Sequence, residues 1–283
     1  MNNRQILHAG NFADVLKHAA LVRIVAHLKE NDTAFRVVDT HAGAGLYDLT
    51  SDEVQEAGEW HSGIGRLLEA SLPADADRLL EPYLSIIRTL NPDSTLSCYP
   101  GSPILVRELF RKQDRLSAIE LHPQDGAALK SLFDGDYQTR VTALDGWLAL
   151  GAHLPPKEQR GVVLVDPPFE AEGEYDRLVD GLARAYGRWP SGLYCLWYPI
   201  RDGAPIAAFH RKLRALGVAN LLCAELHVCD AKETNRLSGS GVIFVNMPTA
   251  LEDELAVLLP ALEVCLAQTP QSHHSVFRIG ESD

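Results

Sequence analysis

Phe35-Arg36-Val37-Val38-Asp39-Thr40-His41-Ala42-Gly43-Ala44-Gly45 is the stretch on which the fold turns. Its first four residues, with two branched valines, read as a short strand, and a Gly-x-Gly turn follows directly. Glycines at that place let a backbone approach a bound nucleotide closely, because no Cβ intervenes; Gly43 is the first of them. The third glycine of the dinucleotide fingerprint is missing, and Asp48 stands there. The turn thus suits a ligand without a pyrophosphate better than NAD, and S-adenosyl-L-methionine (SAM) is such a ligand.

Working outward, four more β-rich runs follow at 116–120, 140–143, 161–165 and 193–198, with helix-like stretches such as 123–133 and 175–188 between them. That alternation builds a parallel sheet from β-α-β units. Runs at 221–228 and 241–246 are joined by a short polar loop, which suits an antiparallel pair because parallel neighbours need a longer crossover. The expectation is an α/β, Rossmann-like fold of the class I methyltransferase kind: a mostly parallel seven-stranded sheet with an antiparallel last strand. Upstream, Asn11 can cap a helix, with Asp14 three residues on, and Val15, Ala19, Val22 and Ala26 form one apolar stripe.

The ribose-binding acid of a nucleotide-binding unit lies about 20 residues past the glycine turn. Here the best candidate is Glu120, so roughly 50 to 60 residues are inserted. Residues 1–46 and 101–283 are read as the methyltransferase domain and 47–100 as a helical insertion. Within it Ala76, Leu79, Leu80, Tyr83, Leu84 and Ile87 fall at helical spacing, and Pro82 is expected to kink or restart the helix. A subdomain beside the active-site mouth and a mere structural elaboration are equally good readings.

Bulk properties bound the rest. The 283 residues are 46% hydrophobic and 23% charged, the balance of a soluble globular chain. No apolar run reaches the roughly 20 residues that span a bilayer, and the N-terminus has no secretory core. Five scattered cysteines without a C-x-x-C pair argue against a disulfide framework or structural zinc and suit a reducing cytoplasm. A net charge of −12 is an unusual footprint for a nucleic-acid binder, whose phosphate affinity comes from Lys and Arg. Local clusters at Arg107, Arg111, Lys112, Arg115 and at His210, Arg211, Lys212, Arg214 read as solvated faces of amphipathic helices.

Asp166-Pro167-Pro168-Phe169, directly after Gly161-Val162-Val163-Leu164-Val165, carries the chemistry. Carboxyl ends of strands are where α/β sheets hold ligands, and Asp-Pro-Pro is a rigid shelf. The Asp166 carboxylate and a proline-flanked carbonyl at Pro167 are two acceptors, matched to an amino group with two N–H donors, while Phe169 can stack on a base. An arylamine is a poor nucleophile because its lone pair is delocalised; holding both hydrogens out of plane restores it. Asp166 then accepts the proton the amine loses on gaining a methyl group. Glu120 at its strand end can accept from ribose hydroxyls, and Asp145-Gly146 can accept from an adenine amino group and leave room for the ring. Glu225, His227 and Cys229 alternate along one strand, but no fourth ligand is evident and no metal is expected. Gly239-Ser240-Gly241 is not a nucleophile elbow, and no P-loop is present.

His8-Ala9-Gly10-Asn11-Phe12-Ala13-Asp14-Val15-Leu16-Lys17-His18, Asp39 to Gly45, Tyr99-Pro100-Gly101-Ser102-Pro103, Glu120-Leu121-His122-Pro123 and Asp166-Pro167-Pro168 occur in that order and spacing. Together they resemble the RlmJ family of bacterial 23S ribosomal RNA adenine-N6-methyltransferases, over essentially the whole chain. The resemblance implies a class I methyltransferase with a helical insertion acting on one adenine of 23S rRNA, naked or in an early ribosomal precursor. It implies a SAM site drawing on Lys17, His18, His41, Ser102, Glu120, Asp145 and Gly146, with Asp166 catalytic. Lys17 or His18 would reach the cofactor carboxylate, with Ser102 as a hydroxyl donor. Two departures stand out: Phe169 replaces the Tyr common in this motif, and Asn3-Arg4-Gln5 stands where relatives carry an aromatic. A monomer without membrane contact is expected. The rival readings are a DNA-adenine or small-molecule amine methyltransferase, and a non-catalytic protein of DNA utilisation.

Overall fold

The computed structural model describes residues 5–201, 204–230 and 237–280. Strands β1 (Arg36–Asp39), β4 (Arg115–Ile119), β5 (Thr139–Thr142), β6 (Gly161–Val165), β7 (Leu193–Ile200), β8 (Leu221–His227), β9 (Gly239–Val245) and β10 (His273–Ile279) form one sheet. Its order is β10-β8-β9-β7-β6-β1-β4-β5. The pairs β1–β4, β1–β6, β4–β5 and β6–β7 are parallel, whereas β9 runs antiparallel to both β7 and β8. This is the class I methyltransferase layout. The chain leaves β1 to one side and later returns to β6 on the other, so the carboxyl ends of β1 and β6 flank the crevice where such sheets hold ligands.

Near-continuous apolar strands require cover on both faces. Val37, Leu116, Val162 and Leu164 pack into one core with helices α1 (Phe12–Lys29) and α10 (Thr249–Leu266). Val38, Ile119, Val163 and Val165 pack into the other with α7 (Gly146–Ala152), α8 (Glu174–Arg188) and α9 (Ile206–Ala215). Asn11 caps α1, its side chain accepting from the N–H groups of Ala13 and Asp14, and Asp14 reaches back to the Gly10 N–H at 3.0 Å. No described helix is long and apolar enough to cross a membrane.

The segment after the glycine turn is closed at its base by a two-stranded ribbon, β2 (Leu46–Asp48) with β3 (Cys98–Pro100). Between them lie α2 (Asp52–Ala57), a 3-10 turn Glu59–Ser62, α3 (Ile64–Glu69) and α4 (Ala74–Leu90), after which α5 (Ser102–Glu108) and α6 (Pro123–Leu132) resume the main fold. Leu80, Tyr83 and Leu84 of α4 bury into the same core as α1.

Three features differ from the sequence reading. The sheet has an eighth strand, β10; its His273-His274-Ser275 start is polar and it lies half-exposed at an edge, so no apolar alternation announces it. Pro82 lies inside α4, which does not restart there, because the buried face on either side holds the helix together. Of the basic residues at 107–115, Arg107, Arg111 and Arg115 are staples rather than a solvated face, while Lys112 is exposed. Arg107 pairs with Asp136, while Arg111 binds Asp114 and the carbonyls of Asn31 and Thr33.

Candidate active site

Two adjoining cavities open at the carboxyl end of the sheet. One, of about 870 Å³, is lined by Lys17, His18, Ser102, Asp166, Pro167 and Phe169 among others. The other, of about 430 Å³, is lined by Glu120, Asp145, Gly146 and Trp147 among others. His41, Pro168 and Glu170 border both. The fold thus gathers all but one of the expected residues around a single divided crevice. Gly43 lines neither cavity; its N–H donates to Glu120 Oε2 at 2.7 Å.

Asp166 sits at the end of β6 and is 9% exposed. The Lys17 ammonium, one α-helical face away, donates to Asp166 Oδ2 and, at 2.7 Å, to Asp14 Oδ1. Burial works against charge on Lys17, but Asp14 and Asp166 outweigh it and hold the ammonium protonated. Burial also pushes the Asp166 carboxyl above its ordinary value, against the pull of Lys17. The result is a buried carboxylate fixed through one oxygen and more basic than a solvated one. Lys17 keeps a third N–H beyond these two carboxylates, and both Lys17 and His18 line the larger cavity.

Phe169 adopts φ +52°, a left-handed conformation uncommon outside glycine. Such strain, on the order of 1–3 kcal/mol, is found where surrounding structure imposes it, often at functional sites. Its ring packs edge-on against Tyr175 (centroids 4.9 Å) and Trp197 (5.7 Å). Trp197, within β7, also lines the larger cavity and donates through Nε1 to Ser240 Oγ at 2.8 Å.

On the nucleoside side, Glu120 accepts from the backbone N–H groups of Gly43 and His122, both at 2.7 Å. Two donors fix the carboxylate and leave lone pairs for hydroxyls. Asp145 caps α7 through Oδ1 and accepts from Arg177 through Oδ2 at 3.3 Å. Glu174 is 5% exposed and borders this cavity, and its Oε2 is buried without a hydrogen-bond partner. Such an orphaned acceptor fits a cavity built for a donor-bearing ligand. Two acidic side chains with acceptor capacity to spare, beside a second polar chamber, could hold the ribose and adenine of SAM, with its amino-acid end in the larger cavity.

Deeper in the crevice, Ser102 Oγ donates to Asp39 Oδ2 at 2.6 Å, and burial raises Asp39 to about 7. His18 Nδ1 meets the Tyr99 hydroxyl at 2.7 Å, and Tyr99 meets Tyr83 at 2.8 Å. Burial lowers His18 to about 3 and His41 to about 4, so both rings are neutral near pH 7. The Thr40 hydroxyl donates to the Leu164 carbonyl, so at the 2.8 Å contact between Thr40 Oγ1 and His41 Nδ1 the ring nitrogen is the donor.

The insertion reaches this site through its 3-10 turn. Glu59 Oε2 accepts from Asn11 Nδ2 and contacts His8 Nδ1, each at 2.9 Å, and Glu56, Ala57 and Glu59 line the larger cavity. Gly63 packs so closely that a Cβ there would lie 2.1 Å from the Gly10 carbonyl oxygen.

The profile of the family described as "Ribosomal RNA large subunit methyltransferase D, RlmJ" matches residues 32–279. The chain belongs to this family. It is 39% identical over 277 residues to ribosomal RNA large subunit methyltransferase J of Escherichia coli, covering 98% of each chain. It is 39% identical over 257 residues to the protein of the same name from Haemophilus influenzae, covering 90% of each. A Legionella pneumophila protein of known crystal structure superposes with a TM-score of 0.87 at 34% identity, covering 97% of this chain and 99% of that one. Membership of the RlmJ family makes SAM the methyl donor.

Sequence reasoning missed Asp14, Trp197 and Glu174. The first follows the N-cap on the Lys17 face of α1, a position that carries a signal, whereas the second lies within β7 and carries none of its own. Glu174, at the first turn of α8, has none beyond its nearness to Asp166. The N-terminal Asn3-Arg4 lies outside the described residues, as does the Gln5 side chain.

Proposed function

We propose that this chain transfers a methyl group from SAM to N6 of one adenine in 23S rRNA. The observation that carries the reading is the Asp166 carboxylate, anchored by Lys17 through one oxygen, beside a strained aromatic at the mouth of the larger cavity. Bound SAM supplies an electrophilic methyl on a sulfonium and leaves as a neutral thioether. Glu120 would hold its ribose, and Asp145, with Gly146 beside it, its adenine; His18 and Ser102 line the larger chamber and His41 borders both.

The protein's own part is positioning and proton handling. Asp166, its Oδ2 pinned, presents the remaining oxygen to one N–H of the target amine, and the Pro167 carbonyl accepts the other. Phe169 and Trp197 flank the base. As the nitrogen gains its fourth bond it becomes strongly acidic, and the proton passes to Asp166, whose raised basicity suits the task. A base within structured RNA must be extruded or already unpaired to enter. The helical insertion 47–100 forms one wall of the mouth through Glu56 and Glu59, next to the main domain of 1–46 and 101–283. The family's ribosomal substrate and the free cysteines support a cytoplasmic setting, with the chain acting as a monomer on naked 23S rRNA or an early precursor.

Labelled SAM offered separately to naked 23S rRNA, duplex DNA and a pool of amine metabolites tests this. Label is expected in the rRNA alone. Label confined to DNA or to metabolites overturns the substrate, and label in none of them overturns catalysis.

A further inference from the structure

Where α9 packs on β7 and β8, four donor atoms of different chemistry converge. His210 on α9 brings Nε2, Cys223 and Glu225 on β8 bring Sγ and a carboxylate oxygen, and Tyr198 on β7 brings its hydroxyl. The hydroxyl lies 3.0 Å from His210 Nε2, 2.7 Å from Glu225 Oε1 and 3.2 Å from Cys223 Sγ. His210 Nε2 is 3.7 Å from Glu225 Oε1 and 4.0 Å from Cys223 Sγ. Tetrahedral zinc, with bonds of about 2.0 Å to N and O and 2.3 Å to S, sets its ligands roughly 3.3–3.6 Å apart. The observed spacings straddle that range. We propose that His210, Cys223, Glu225 and Tyr198 form a structural site for a zinc-class divalent cation.

The sequence set aside a metal here because Glu225, His227 and Cys229 had no fourth partner; the fold instead turns Cys223 and His210 toward Glu225. Gly241 makes the convergence possible. It lies between Tyr198 and Glu225 in register on β9, and a Cβ there would meet the Tyr198 ring at 2.1 Å. The second Glu225 oxygen is oriented from outside by His227 Nε2 and Ser275 Oγ, each at 3.4 Å, as outer partners orient metal ligands. Charge also balances. When the S–metal bond forms the Cys223 proton leaves to solvent, and thiolate plus carboxylate neutralise a dication beside a neutral imidazole and phenol. His210 is 17% exposed in its side chain, which gives the ion a path in from solvent. Nitrogen, thiolate and oxygen together favour zinc over magnesium or calcium. Such an ion would tie α9 to the two strands β7 and β8.

Chelator-treated full-length protein, titrated with Co²⁺ as an optical probe and with Zn²⁺ for stability, tests the site. One Co²⁺ per chain is expected, with a thiolate-to-cobalt charge-transfer band, and Zn²⁺ should raise the melting temperature. Cys223→Ser should abolish the band, and His210→Ala, checked for folding by circular dichroism, should weaken binding roughly tenfold or more. Asp166→Ala should leave it unchanged. Absence of the band in the wild type, or a band that survives both Cys223→Ser and His210→Ala, overturns the site; neither result bears on methyl transfer.

Discussion

Lys17 and Asp166 set the working charge of the crevice, and each has a distinct signature. Lys17→Met leaves Asp14 and Asp166 buried beside each other without a cation. The Asp166 carboxyl, already above its ordinary value through burial, then rises further. A carboxylate that must be ionised to accept a proton works only above its pKa. The acidic limb of the pH–rate profile is therefore expected to move to higher pH in Lys17→Met, with activity near pH 7 down by about 10²-fold and partly recovered in alkaline buffer. An unshifted limb would separate Lys17 from Asp166. Phe169→Ala should weaken substrate more than chemistry, because the ring offers a stacking face and no proton: KM for RNA rises while kcat falls less, and steady-state kinetics will show which. Stacking is worth about 1–3 kcal/mol per base in single-stranded complexes, so the rise in KM should be roughly tenfold.

Among the elements, the strands of the sheet centre were legible in the sequence to within a residue or two, because β1, β4, β6 and β7 must be apolar on both faces and end in turn-forming residues. Gly43, Glu120 and Asp166 could be found for the same reason: each follows a strand whose end the pattern marks. What stayed hidden depends on contacts between distant segments. Strand β10 gains its place from pairing with β8 and carries little apolar pattern of its own. The Lys17–Asp166 pair joins residues 149 positions apart, and no local spacing signals it. His210 looked like part of a solvated basic face because the sequence does not show the Tyr198 hydroxyl waiting opposite. The insertion is the element with the most direct leverage on the site. Gly63→Ala places a methyl against the Gly10 backbone, which cannot retreat without disturbing the Asn11 cap of the helix that carries Lys17 and His18. Destabilisation of about 1–3 kcal/mol is expected in urea unfolding, with weaker SAM binding by calorimetry. Wild-type values for both would mean that the insertion does not position α1.

Taken as a whole, the molecule buries two histidines in their neutral form and so carries a defined pH dependence. His18 and His41 titrate at about 3 and about 4 in the fold, against an ordinary value of 6.5. Below 6.5 the unfolded chain binds protons that the native state refuses, so stability is complete above that pH and falls as pH drops toward 4. The two rings together contribute on the order of several kcal/mol to this loss. Thermal melting across pH 7 to 4 should show it, and His18→Asn should flatten the curve; an equal slope in the variant would place the acid sensitivity elsewhere. Asp39 has the opposite sign. Its carboxyl is raised to about 7, so the stability it contributes in acid is lost as pH rises through that value. Net charge belongs here too. With Arg107 and Arg111 tied into ion pairs, a chain of net charge −12 offers RNA less phosphate attraction than a basic domain would. Recognition must then rest on the shaped crevice more than on phosphate attraction, and activity should fall only shallowly with salt.

The most direct test is to incubate the purified chain with labelled SAM and naked 23S rRNA, then digest the RNA and identify the modified nucleoside. The account predicts N6-methyladenosine at a single site per rRNA molecule, lost at least about 10³-fold in Asp166→Ala and retained in Arg78→Ala, a change on the exposed face of the insertion. Methylation that survives Asp166→Ala, or that appears on any atom other than adenine N6, would contradict it.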